Sequence, residues 1–125
     1  MSAITIEQDL LRLPDNLKYV GMALLQFVYS FSPPEFAKGK TDWVRRKPWN
    51  FVAFGLPKAG NEIRMHLDVE HSDLDEKDLA RLPLKAGHRY PKCEITDPSQ
   101  LGTAVRYIEI AYRKRWRHIG VDPKF

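Results

Sequence analysis

The residues best equipped for chemistry combine positive charge with aromatic rings in three places: Trp43, Arg45, Arg46, Lys47 and Trp49; His88, Arg89 and Tyr90; and Arg113, Lys114, Arg115, Trp116 and Arg117. Guanidinium groups fork onto phosphate oxygens and aromatic faces stack on unpaired bases, so this combination fits nucleic acid or a nucleotide. The expected binding residues are Trp43, Arg45, Arg46, Lys47, Trp49, Arg64, His88, Arg89, Tyr90, Arg113 and Arg115, with the cations on phosphate and Trp43, Trp49 or Tyr90 stacking. The same residues admit a plainer account. Tryptophans beside hairpins pack into cores, and Lys or Arg at a helix end bonds the terminal carbonyls.

Other constellations lead less far. His66, Asp68 and Glu70 alternate on one strand face, roughly 7 Å apart, but no second His/Asp/Glu cluster sits at a telling interval, so no metal is expected. A restriction-type nuclease core needs a lysine beside its carboxylates, and the nearest run, Glu62-Ile63-Arg64, places a bulkier, permanently charged arginine there. Cys93 alternates with charged residues, as a small core side chain in a strand would. No glycine-rich phosphate loop, nucleophile elbow or zinc spacing is present. The expectation is a non-catalytic protein with no cofactor and no metal.

Charge is sorted along the chain. Residues 38–48 carry Lys38, Lys40, Arg45, Arg46 and Lys47 against Asp42, net +4, and residues 101–118 carry Arg106, Arg113, Lys114, Arg115 and Arg117 against Glu109, also net +4. Residues 67–79 sum to −5, and the total for all 125 residues is +4. Positive segments of this kind attract a polyanion. The 43% hydrophobic content is enough for one core and one domain spanning residues 1–125. A single cysteine makes no internal disulfide, and no stretch approaches the roughly 18 apolar residues of a membrane span, so a cytoplasmic protein without membrane contact is expected.

The elements that must position these residues follow from period. Leu17, Val20, Leu24, Phe27, Val28 and Phe31 make one apolar stripe over residues 16–31, with Asp15 as N-cap, and a short lead-in helix over residues 4–13 closes at Pro14. Period-two patterns over residues 49–54 and 63–69, with Pro57, Gly60 and Asn61 between, predict a β-hairpin. Residues 43–46 fit a further edge strand, residues 73–82 a short helix or turn with Asp75 and Glu76 at its start, and residues 90–96 another strand. Asp97, Pro98, Ser99 and Gln100 read as N-cap, N1, N2 and N3 of a final helix buried through Leu101, Ala104, Val105, Ile108, Ala111, Tyr112 and Trp116. The fold class is α+β, a single domain with a three- to four-stranded, mostly antiparallel sheet carrying the helices at residues 17–31 and 101–116 on one face.

The order Trp43-Val44-Arg45, Trp49-Asn50-Phe51-Val52, Ile63-Arg64-Met65-His66-Leu67, Ala86-Gly87-His88, Cys93-Glu94-Ile95 and Ile110-Ala111-Tyr112 resembles a bacterial domain family of unknown function that carries the label "predicted transport protein". Members of that family often accompany restriction-type or nuclease modules. The resemblance spans residues 43–113 and implies a small α+β domain with a meandering sheet and a terminal helix, without established catalytic residues. The expected function is a non-catalytic module that recognises nucleic acid or a nucleotide, in bacterial defence or DNA processing. Two alternatives stand beside it. One is a protein-interaction or homodimerising domain using the acidic stretch or exposed aromatics; the other is a small enzyme in which His66, Asp68, Glu70 and His88 share a cleft.

Overall fold

The computed structural model describes residues 5–30, 36–38, 42–45, 52–57, 61–86 and 90–118. Two helices come first, α1 (Ile6–Leu10) and α2 (Asp15–Ser30), then strands β1 (Phe36–Lys38), β2 (Asp42–Arg45), β3 (Val52–Gly55) and β4 (Ile63–Leu67). A short helix α3 (Glu76–Arg81), strand β5 (Lys92–Ile95) and the long helix α4 (Leu101–His118) complete the fold. The strands pair in chain order, β1-β2-β3-β4-β5, every neighbour antiparallel. This is the α+β arrangement expected, with β3, β4 and β5 at the expected hairpin and following strand.

The sheet extends one strand beyond the four read from the sequence. β1 is three residues long, too short for period two to show, and it moves β2 from the edge to an inner position. Cross-strand register aligns Trp43 with Phe54, Phe54 with Met65, and Met65 with Cys93. All four side chains are buried, forming one apolar row across the sheet. Because side chains alternate along a strand, Arg64, His66, Lys92 and Glu94 fall on the opposite face, where each is half-buried.

The apolar face carries the helices. α2 buries Leu17, Val20, Gly21, Leu24, Leu25 and Val28, and α4, which packs on β3 and β4 and beside α2, buries Ala104, Tyr107, Ile108, Ala111 and Tyr112. Each large side chain so covered contributes about 1.5–3 kcal/mol. Gly21 lets α2 lie close against α1: a Cβ there would stand 2.6 Å from Leu10 Cδ2. α1 starts with a capping box in which Thr5 and Gln8 each bond the other's backbone N–H. The start of α4 follows the sequence reading closely. Asp97 caps a single 3-10 turn, Pro98–Gln100, that leads straight into the helix.

Candidate functional site

The acidic stretch lies against α4. After β4 the chain makes a 3-10 turn at His71–Asp73 and enters α3 with Asp75 as its N-cap, accepting from Lys77 N–H. That path places Asp68, Asp73 and Asp78 in front of three cations of α4. Arg115 reaches Asp68 Oδ2 at 2.8 Å, Lys114 reaches Asp73 Oδ2 at 2.7 Å, and Arg106 Nε donates to Asp78 Oδ2 at 2.9 Å. The Arg106 guanidinium holds the Asp78 carboxyl below its ordinary range, and the buried Thr103 hydroxyl donates to the same carboxylate at 3.3 Å. These contacts join α3 and the 68–73 loop to α4.

Two of the expected phosphate-binding residues, Arg113 and Arg115, stand in this region. Arg113 is exposed and bonds Glu109 at 3.3 Å, one helical turn away. Arg115 is 14% exposed, and its Nη2 donates to the Tyr90 hydroxyl at 2.7 Å. Tyr90 and Arg115 are thus brought together, with the charge of Arg115 answered by Asp68. Arg115 Nε is buried with no hydrogen-bond partner among the described residues, a cost accepted in return for the Asp68 contact.

Arg64 points from the other side of the sheet. It bonds Glu62 at 3.4 Å, and Glu62 and Glu94 line an open cleft of about 410 Å³ together with Lys85, which pairs with Glu94. The adjacent Glu62 carboxyl, then Lys85, pulls Glu94 from its ordinary 4.5 down to about 2. Glu62 moves up, first through Glu94 and then through burial.

The two shifts act in opposite senses. A lowered carboxylate stabilises the fold above its unfolded value, and that contribution disappears as pH falls through the folded value. Glu94 therefore contributes fully above about 4.5 and loses its contribution on the way to about 2. Glu62 favours the protonated fold, so its contribution is present on the acid side and is lost as pH rises through its raised value. Urea midpoints measured between about pH 5 and pH 3 should fall in the native chain and fall less in Glu94→Gln. Parallel curves would refute the pairing.

His66, Asp68 and Glu70 do not form a centre. Among the described residues no three His, Cys, Asp or Glu gather in a way that could hold a metal ion. Asp68 is bound to Arg115, and Glu70 sits at the start of the 3-10 turn, its backbone N–H bonded to Asp73. Cys93 is a core residue: burial pushes its thiol up to about 12, and its sulfur lies 3.8 Å from the Met65 carbonyl.

Trp43 is likewise interior, 3% exposed, with its indole Nε1 donating to the buried Asp9 Oδ2 at 2.8 Å. Its ring has no face open to a base. The parity of β2 decides this, because Trp43 shares a side with Phe54. Arg45 is placed by its backbone alone, paired with Phe36 across β1 and β2. Arg46, Lys47, Trp49, His88 and Arg89 lie outside the described residues.

Sequence reasoning missed Asp9, Thr103 and Tyr107, all buried. Tyr107 falls on the apolar stripe of α4, three residues after Ala104 and four before Ala111, a signal available in the spacing. The eleven Lys/Arg and thirteen Asp/Glu whose side chains the structure describes sum to −2, whereas the whole chain is +4. Eight of those eleven cations stand within ion-pair distance of a carboxylate. No described helix is long and apolar enough to cross a membrane. No family model matches the chain, and neither does any curated protein or solved structure.

Proposed function

We propose that this protein is a non-catalytic binding module for nucleic acid or a nucleotide, and that the contact is made by the basic stretch 38–47 rather than by α4. The distribution of charge carries this reading. Arg106, Lys114 and Arg115 of α4 are answered by Asp78, Asp73 and Asp68, while Lys38, Lys40, Arg45, Arg46 and Lys47 supply five of the nine cations whose side chains are not described. β1 and β2 run antiparallel through this stretch at one side of the sheet. A two-stranded ribbon is one of the shapes a nucleic-acid groove admits. The resemblance to domains that accompany nuclease modules leans the same way.

Phosphate contacts release counterions, so the test is salt. With about four phosphates neutralised, affinity for a labelled single-stranded DNA, duplex DNA or RNA should fall roughly a hundredfold between about 50 and 200 mM salt. Fluorescence anisotropy across that range reads the slope. A flat response, or no binding to any of the three at the lowest salt, would remove the proposal.

A further inference from the structure

The chain between Val69 and Leu82 is held to the fold by charge more than by packing. Val69 and Leu82 are buried at its two ends, but among residues 70–81 only Leu74 is buried and only Asp78 and Leu79 are half-buried. Neither the 3-10 turn nor α3 contains a buried residue. Among the described residues the backbone–backbone hydrogen bonds of this stretch close within it: Asp73 N–H to Glu70, Leu74 N–H to His71, Leu79 N–H to Asp75 and Leu82 N–H to Asp78. A helix of six residues has no stability of its own.

Two carboxylates fasten the stretch to α4. Lys114 Nζ meets Asp73 Oδ2 at 2.7 Å, and Arg106 Nε and the Thr103 hydroxyl donate to Asp78 at 2.9 and 3.3 Å. The later acid meets the earlier cation, so the chain runs against the direction of α4 along about 12 Å of the helix. At the Leu82 end Gln100 Nε2 and the Tyr107 hydroxyl donate to the carbonyls of Arg81 and Leu82, both at 2.9 Å, which makes that end a fixed pivot. We propose that residues 70–81 are a strap that lifts from α4 as a unit while the sheet, α2 and α4 stay folded, and that the closed strap withholds Arg106 and Lys114 from polyanions.

Segments open locally where few apolar contacts hold them, and this one has the fewest between the two ends of the sheet and helix core. Its ion pairs are partly exposed, so salt screens them and favours the lifted state. Lifting leaves Arg106 and Lys114 without these carboxylates, on the same helix as the exposed Arg113. Closed, the strap answers both charges and leaves phosphate to the stretch 38–47. The withholding extends the nucleic-acid reading of that stretch, whereas the lifting is measured without any ligand, so the two fail separately.

Asp73→Asn with Asp78→Asn removes both charges and keeps an acceptor for the Glu70 N–H. Hydrogen exchange read by mass spectrometry on the full chain should show residues 70–81 exchanging ahead of α2, β3 and β4, and about threefold faster at about 0.5 M than at about 0.05 M salt. In the variant their exchange rises about tenfold and most of the salt response is gone. Against a labelled single-stranded DNA, anisotropy should show the variant binding at least about fivefold more tightly than Asp15→Asn with Glu62→Gln. That control changes the net charge equally but touches only the partners of Lys18 and Arg64. Exchange of residues 70–81 at the rate of the sheet, or unmoved by the variant, would overturn the strap. Equal DNA binding by the two variants would overturn the withholding.

Discussion

Asp9→Ala is expected to lower stability by about 2–4 kcal/mol, the cost of leaving a buried N–H without its charged acceptor and of losing a pair with a half-exposed arginine. Asp9 is 2% exposed. Its carboxylate pairs with Arg12 on the same turn of chain and accepts the Trp43 indole N–H at 2.8 Å, while Arg12 extends to the Leu56 carbonyl at 3.5 Å. One carboxylate thus ties α1 to β2, and its arginine ties α1 to the end of β3. Truncation leaves the indole N–H buried without this acceptor at its desolvation cost, whereas the half-exposed Arg12 guanidinium turns to water.

For a chain of this size such a loss corresponds to a melting point lower by roughly 5–15 °C. Asp9→Asn keeps an acceptor for the indole and should cost less, and Trp43→Phe, which removes the donor and preserves most of the apolar volume, about 1–3 kcal/mol. Urea denaturation of the three variants tests the ordering. An Asp9→Ala chain within about 1 kcal/mol of the native one would show that water, not this network, satisfies the group.

The architecture was legible wherever a local rule was strong. Asp97 to Gln100 announce the start of α4 because capping is a matter of four consecutive residues, and Ile63, Met65 and Leu67 reveal their face because alternation is written into one strand. What the sequence could not show is pairing at a distance. Arg106, Lys114 and Arg115 read as a basic face, and Asp68, Asp73 and Asp78 as an acidic one. Only the fold brings the two within ion-pair distance.

Trp43 teaches the same lesson from the apolar side. Its neighbours Arg45, Arg46 and Lys47 suggested a stacking platform, but the strand parity that buries it depends on register with Phe54. Asp9, an acid that follows Glu7 and Gln8 on a short helix, had no local signature of burial at all, because the tryptophan it serves is 34 positions away. Tyr107 differs, since its place on the stripe was readable and its hydroxyl donor to the Leu82 carbonyl at 2.9 Å explains why a tyrosine can be fully interior.

Separating the two basic segments by mutation should give opposite signatures. Lys40→Gln, Arg46→Gln and Lys47→Gln together remove three positive charges from the 38–47 stretch without altering any residue of β1 or β2. If these cations meet phosphate, the triple variant loses about three units from the slope of log affinity against log salt. Its affinity at low salt drops by one to two orders of magnitude, roughly 1.4 kcal/mol per tenfold, and its melting point stays near the native value. Lys114→Gln with Arg115→Gln acts on cations that already hold Asp73 and Asp68. Arg115 is 14% exposed and bonded to both Asp68 and Tyr90, so its loss alone should cost about 1.5–3 kcal/mol, while affinity for DNA or RNA remains within about twofold. Anisotropy titrations and thermal melts on the two variants read both axes. The crossed result, binding lost with Lys114 and Arg115 but retained without Lys40, Arg46 and Lys47, would move the interface to α4 and require Asp68 and Asp73 to release their partners when the ligand arrives.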